Sequence, residues 1–215
     1  MSETQKEVSD CVQKFGCRPA ELLYQWGVMG PKTLFAHAVH LSDDEIQLVK
    51  KTGTTLAHCP TSNLKLGSGQ MPLQKYLKAG LNLTLGTDSV SSNNSLSMIS
   101  EMKLAALSAK NQADSVLVGK VDDIFKIATK NGFEAFGIKA GEIKEGNLAD
   151  FILVDMNNQF LLPNNNLKSN IIYAADSSCI TDVFCDGKPV MRNRVIPHEA
   201  EIIFDFKCVC ADLAA

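Results

Sequence analysis

Short apolar runs alternate with amphipathic stretches through the first half of the chain. Residues 2–15 are polar with spaced apolar positions, which predicts a helix. Pro19 suits the first turn of a second helix, expected to run to about Trp26 and to be closed by Gly27 and Gly30-Pro31. The run Thr33 to Ala36 predicts a strand ending at His37. Ser42-Asp43-Asp44-Glu45 has the form of a capping box, so a helix is expected from there to about Gly53. Thr54 to Ala57 predicts the next strand, ending at His58. Residues 60–69 are expected to form a loop, Pro72 to Ala79 a helix stopped by Gly80, and Leu81 to Leu85 a third strand. A strongly amphipathic helix is expected over Ser95 to Ala109.

Three strand–helix units in succession predict a parallel sheet or barrel. The predicted strands end at His37, His58 and just before Asp88. Ionisable residues at equivalent ends of neighbouring parallel strands are what a barrel active site requires. Beyond about Asn111 the pattern changes. Val121 to Phe136 predicts one helix, and residues 141–150 a turn-rich hairpin into the apolar run Phe151 to Val154. Further short strands are expected at Ile171 to Ala174 and Thr181 to Cys185. The turn signal Asp186-Gly187 then leads into Lys188 to Met191. These runs suggest a small β domain, with the division near residue 140: 1–140 barrel, 141–215 β domain and tail.

Composition narrows the function. The 215 residues have ordinary apolar and charged fractions and a formal charge of −3. With no cluster of Lys or Arg, this argues against a nucleic-acid surface. No apolar run reaches the length of a membrane span, and the polar start Met1 to Glu7 does not read as a secretory signal. The seven cysteines are scattered and odd in number, which favours a reducing, cytoplasmic setting over a disulfide framework. Cys208-Val209-Cys210 is too tightly spaced for a usual zinc-finger half and is read as part of a C-terminal tail.

Two phrases carry a family resemblance. One is Leu85-Gly86-Thr87-Asp88-Ser89-Val90-Ser91-Ser92-Asn93-Asn94; the other is Ala57-His58-Cys59-Pro60-Thr61-Ser62-Asn63-Leu64-Lys65-Leu66-Gly67-Ser68-Gly69. Together the sequence resembles the amidohydrolase superfamily, in particular its 5-methylthioadenosine/S-adenosylhomocysteine deaminase group, with the triazine hydrolases as near relatives. The resemblance extends from Glu3 to about Val195. It implies the C-terminal part of a (β/α)8 barrel with part of a small β-sandwich. It also implies metal-dependent hydrolytic deamination of an amino-purine nucleoside. Zinc is the implied metal, with iron and manganese as alternatives. In this family Asp88 would match the eighth-strand carboxylate, binding metal and accepting a proton from water. His37 would match the sixth-strand histidine, which contacts substrate or hydroxide, and Ser92 a substrate-contacting serine. Glu3 would match the acid of a His-x-x-Glu motif, the proton shuttle that also touches substrate.

Each assignment has a plainer alternative. Asp88 could cap the helix that follows it, His37 could be a satisfied core histidine, and Glu3 a solvated terminal glutamate. Ser92 could serve loop geometry alone. His58 stands open between support and catalysis. His40 is expected at the surface, and His198 receives no role.

The chain also departs from the family pattern. The family's His-x-His pair is absent, and the histidine of His-x-x-Glu would fall before Met1. Only one of four family metal ligands, Asp88, is therefore present, and the chain is expected to be an N-terminally truncated piece, inactive alone. An open sheet edge and bare apolar faces predict aggregation, self-association into a homo-oligomer, or dependence on a missing half. Two other readings are carried: a triazine-type amino- or chlorohydrolase, and a non-catalytic remnant or partner subunit.

Overall fold

A computed structural model describes residues 1–214. Capping chemistry sets many of its helix boundaries. Helix α1 (Gln5–Phe15) starts where the Thr4 hydroxyl accepts the Glu7 amide and stops at Gly16, whose left-handed backbone the missing Cβ permits. Helix α2 (Pro19–Gln25) opens on proline. After strand β1 (Leu34–Ala36), helix α3 (Asp43–Thr52) opens with the predicted reciprocal Ser42–Glu45 capping box and ends at Gly53. Strand β2 (Thr55–His58) leads into helix α4 (Pro60–Lys65), then helix α5 (Leu73–Ala79) and strand β3 (Leu83–Leu85). A single turn, α6 (Val90–Asn93), precedes the long α7 (Met98–Ala113). Helices α8 (Val121–Ala128) and α9 (Lys130–Ala135) follow. Strand β4 (Phe151–Val154), helix α10 (Leu167–Tyr173), strands β5 (Ile180–Cys185) and β6 (Lys188–Met191), and helix α11 (Glu199–Ala214) complete the order.

Strands β1, β2 and β3 form a parallel sheet in that order, in the register Ala36–Ala57 and Ala57–Thr84. Every residue of β2 and β3 is buried, as expected of parallel strands covered on both faces. Leu56 and Leu83 share a core with Ile46 and Val49 of α3, Tyr76 of α5, Met102 and Ala106 of α7, and Ile127 of α8. The outer edge of β1 is met by the N-terminus: the Met1 ammonium donates to the Ala36 carbonyl, and the amides of Ala38 and Val39 donate to the carbonyls of Met1 and Ser2. On β3, the Asn131 side chain donates to the Leu83 carbonyl. The second sheet is antiparallel, β4-β5-β6.

Four sequence expectations need correction. Residues 60–69 are not all loop: Pro60 opens α4, because its missing N–H costs nothing in a first turn. Ile171 to Ala174 is not a strand but mostly the end of α10, capped by the Asn166 side chain. A four-residue apolar run has no period to tell the two apart. Ile172 of this helix is fully buried in the core of the parallel sheet. The single helix expected over 121–136 breaks at Thr129, whose hydroxyl bonds back to the Phe125 carbonyl. The helix expected from Ser95 to Ala109 instead runs from Met98 to Ala113, capped by the Ser97 hydroxyl.

An apolar groove of about 930 Å³ lies between α7, α8 and α9 on one side and β4 and β5 on the other. Helix α11 leaves Ile202, Phe206, Val209 and Leu213 exposed. Apolar surface on this scale favours association. The 23.3 kDa chain is expected to run as larger species in size-exclusion chromatography with light scattering. A sharp monomer peak with cooperative melting would contradict this. No helix among the described residues is long and apolar enough to cross a membrane.

Candidate active site

The C-terminal ends of the parallel strands converge. His37 follows β1 and Asp88 follows β3. Because Met1 and Ser2 hydrogen-bond to the end of β1, they carry Glu3 to the same place. The His37 Nε2 lies 3.6 Å from Glu3 Oε2 and 3.9 Å from Asp88 Oδ2. All three side chains are partly open to solvent. His37 and Asp88 have φ of +73° and +61°, and Ser2 beside Glu3 has +48°. Non-glycine residues adopt this region rarely, and it clusters at functional sites.

Each of the three groups is held from behind. The Ser62 hydroxyl donates to Asp88 Oδ2 at 2.6 Å, and the Ser89 amide donates to Oδ1 at 2.8 Å. Ser62 above all, helped by Ser89 and opposed by partial burial, holds the Asp88 carboxyl below the usual carboxylate range. Asp88 is therefore an anion at neutral pH. His37 Nδ1 is 2.8 Å from Asn63 Oδ1, and the Ser68 hydroxyl donates to Glu3 Oε1 at 2.8 Å. The Glu3 amide donates to Glu7 Oε2 at 2.7 Å.

The other sequence candidates take different places. Ser92 is buried in α6, where its hydroxyl donates to the Ser89 carbonyl. His40 is only half-exposed, with Nε2 2.8 Å from the Ser68 carbonyl. His198 lies beside Glu201 at the start of α11. Ser62, Asn63 and Ser68 were not singled out as site residues from sequence. Nor was Glu101 of α7, which is buried and accepts from the Thr61 amide and the Asn93 side chain. The only signal for them lay in the quoted phrase 57–69 itself.

His58 is buried, and neither ring nitrogen has a protein partner. Burial pushes its pKa down to about 4. The ring is therefore held neutral. The ordinary histidine value is about 6.5. Between pH 6.5 and 4 the unfolded chain therefore binds a proton that the folded chain refuses. This stability is complete above pH 6.5 and is lost as pH falls toward 4, by on the order of 3 kcal/mol. Urea midpoints between about pH 7.5 and about pH 4.5 should fall less steeply for His58→Gln than for wild type. Identical slopes would contradict the assignment.

Residues 1–190 match the Amidohydrolase family. The chain belongs to the amidohydrolase family. The 5-methylthioadenosine/S-adenosylhomocysteine deaminase of Thermococcus sibiricus is 46% identical to this amidohydrolase over 191 residues, 89% of this chain and 45% of the relative. The 5'-deoxyadenosine deaminase of Methanosphaera stadtmanae is 40% identical over 215 residues, 99% of this chain and 51% of the relative. Among solved structures, a zinc-bound adenosine deaminase from Xanthomonas campestris superposes with a TM-score of 0.93 at 34% identity, over 99% of this chain and 49% of that one. A triazine hydrolase variant superposes with a TM-score of 0.89 at 21% identity, covering 95% of this chain and 46% of that one, which shows a shared fold alone. The amidohydrolase chain thus spans about half the length of the curated relatives it matches.

Proposed function

We propose that this chain carries the proton-handling side of a hydrolytic deaminase. Its substrate would be an amino-purine nucleoside of the methylthioadenosine or adenosylhomocysteine type. The observation that carries the reading is the imidazole edge of His37 facing two carboxylates at the C-terminal end of a parallel sheet. The names of the relatives support the substrate class.

Hydrolytic deamination adds water at the ring carbon that bears the amine. The C–N bond then breaks, and ammonia leaves. One proton must come off the water and one must reach the departing nitrogen. Glu3 is placed to take the first and return it, because one of its oxygens faces His37 while Ser68 holds the other. Asp88, held as an anion by Ser62, is a second acceptor on the water side. His37 Nε2 lies near both carboxylates, and in this reading it would contact the reacting oxygen or the substrate. Ser92, buried in α6 with its hydroxyl on the Ser89 carbonyl and beside Asp88, is the further substrate contact of this reading.

Zinc is the metal we infer for the whole reaction, with iron and manganese as alternatives. A catalytic zinc needs three protein ligands of suitable type and geometry. Among the described residues, no group of three or more His, Cys, Asp or Glu side chains is arranged to hold a metal ion. The site residues therefore do not by themselves fit the metal, beyond Asp88 as one ligand. The chain alone is expected to bind zinc weakly and to deaminate little.

The substrate assignment is tested by co-expressing the chain with the part of the Thermococcus sibiricus deaminase that it does not cover. The co-purified complex is then assayed for ammonia release. Methylthioadenosine or adenosylhomocysteine should be turned over in preference to an amino- or chlorotriazine. A complex that prefers the triazine would sink the nucleoside reading.

A further inference from the structure

The backbone that carries Glu3 is pinned from two sides. On one side its carbonyls are taken: that of Met1 accepts from the Ala38 amide, and that of Ser2 from the amides of Val39 and His40. On the other side its amides are taken by one side chain. Glu7 Oε1 accepts from the Ser2 amide at 2.9 Å, and Glu7 Oε2 from the Glu3 amide at 2.7 Å. Glu7 stands at the third position of α1, after the Thr4 cap. In an ordinary capping box a glutamate at that position reaches back to the amide of the cap residue itself. Glu7 reaches one and two residues further, so its carboxylate serves the chain before the helix. Between these two sets of bonds Ser2 is fully buried, with a φ of +48°. A residue other than glycine keeps this conformation only where its surroundings over-determine it.

We propose that Glu7 is the positioning residue of the proton shuttle. Its two oxygens clamp two consecutive amides, which holds Ser2 in the left-handed region and aims the Glu3 side chain into the site. Glu3 is then fixed at both ends, its backbone by Glu7 and its Oε1 by the Ser68 hydroxyl. Its Oε2, 3.6 Å from His37 Nε2, is left for the reaction. Two adjacent N–H groups need two acceptors. A carboxylate supplies both, whereas a carboxamide supplies one and turns an NH2 donor toward the other amide. Misplacing a reacting group by about 1 Å can cost about 100-fold in rate. The catalytic value of the clamp rests on the deaminase reading, but the clamp itself does not.

Glu7→Gln is the deciding variant, assayed in the co-expressed complex with zinc supplied. It should lower kcat about 30-fold or more while KM stays within about threefold of wild type. Gly16→Ala is the control. It strains the left-handed cap at the far end of α1, where an added Cβ meets nothing within 4 Å, and so weakens the helix without touching the clamp. It should lower Tm and leave kcat within about twofold of wild type. A second readout needs no turnover. With this chain 15N-labelled in the complex, the Ser2 and Glu3 amides should exchange with solvent at least about tenfold more slowly than those of Gln5 and Lys6. Gln5 and Lys6 open α1, where amides have no intrahelical acceptor. The protection of Ser2 and Glu3 should fall in Glu7→Gln. A Glu7→Gln complex whose kcat stays within about threefold of wild type overturns the proposal, as does a Gly16→Ala complex that loses as much turnover. Should Glu7→Gln fail to fold, wild-type exchange decides the matter. Ser2 and Glu3 amides that exchange as fast as those of Gln5 and Lys6 contradict the clamp, and slow exchange supports it. A complex with no turnover on any substrate tells against the deaminase reading, and the exchange comparison then decides the clamp alone.

Discussion

Glu3→Gln is expected to remove about three orders of magnitude of kcat from the co-expressed deaminase complex. The substitution is close to isosteric. The amide oxygen still accepts from the Ser68 hydroxyl, and the backbone contact to Glu7 is untouched. What disappears is a carboxylate able to take a proton and give it back. Melting temperature should therefore stay near that of wild type while turnover collapses. Asp88→Asn should be as damaging, because it removes the anion that Ser62 and Ser89 hold in place. The check is steady-state ammonia release, with zinc supplied, for each variant. A loss of less than about tenfold in Glu3→Gln would remove Glu3 from the proton path.

The largest effect on stability is expected at Glu45. This carboxylate is fully buried. One oxygen accepts from Arg18 Nε at 2.7 Å and from the Ser42 amide at 2.9 Å, and the other accepts from the Ala20 amide at 3.0 Å. Arg18 also donates to the His40 carbonyl. Glu45 thus ties the start of α2 to the start of α3, and through His40 it reaches the segment that carries Ser68. Glu45→Ala strips the partner from a half-buried guanidinium and leaves buried amides without acceptors. Removing one partner of a buried pair costs about 3–5 kcal/mol. For a chain of this size that is a fall in Tm of roughly 10 °C or more. Urea unfolding measures it. A loss below about 1 kcal/mol would mean that desolvation of the carboxylate cancels its contacts.

The strands and most caps of the first half were legible in the sequence, because their signals are local. Apolar runs bounded by Gly53 and Gly80 have one reading in an alternating pattern, and Ser42 to Glu45 is a self-contained motif. His37 and Asp88 could be brought together from sequence because a strand-end position says where a side chain sits, whatever it packs against, whereas Glu3 was reached only through the family motif it resembles. The supports of all three were not legible. Ser62, Asn63 and Ser68 are small polar residues in a turn-rich phrase, and their composition is that of any loop. Their partners lie 26, 26 and 65 residues away in sequence. Glu101 and Glu45 were hidden for a related reason. A glutamate on a helix reads as solvated unless its distant partners are known. The Ile171 run failed because four apolar residues fit a strand and a buried helix turn equally well. The C-terminal residues around Cys208 and Cys210 were read as a tail, and they belong to the exposed helix α11.

The most direct test of the central claim compares zinc-supplied ammonia release from methylthioadenosine by the chain alone, by the co-expressed complex, and by the complex carrying Asp88→Asn. The account predicts little or no release from the chain alone, clear turnover by the complex, and loss of that turnover on Asp88→Asn. Full turnover by the chain alone would contradict the incomplete metal site. A complex that keeps its rate with Asp88→Asn would contradict the site itself.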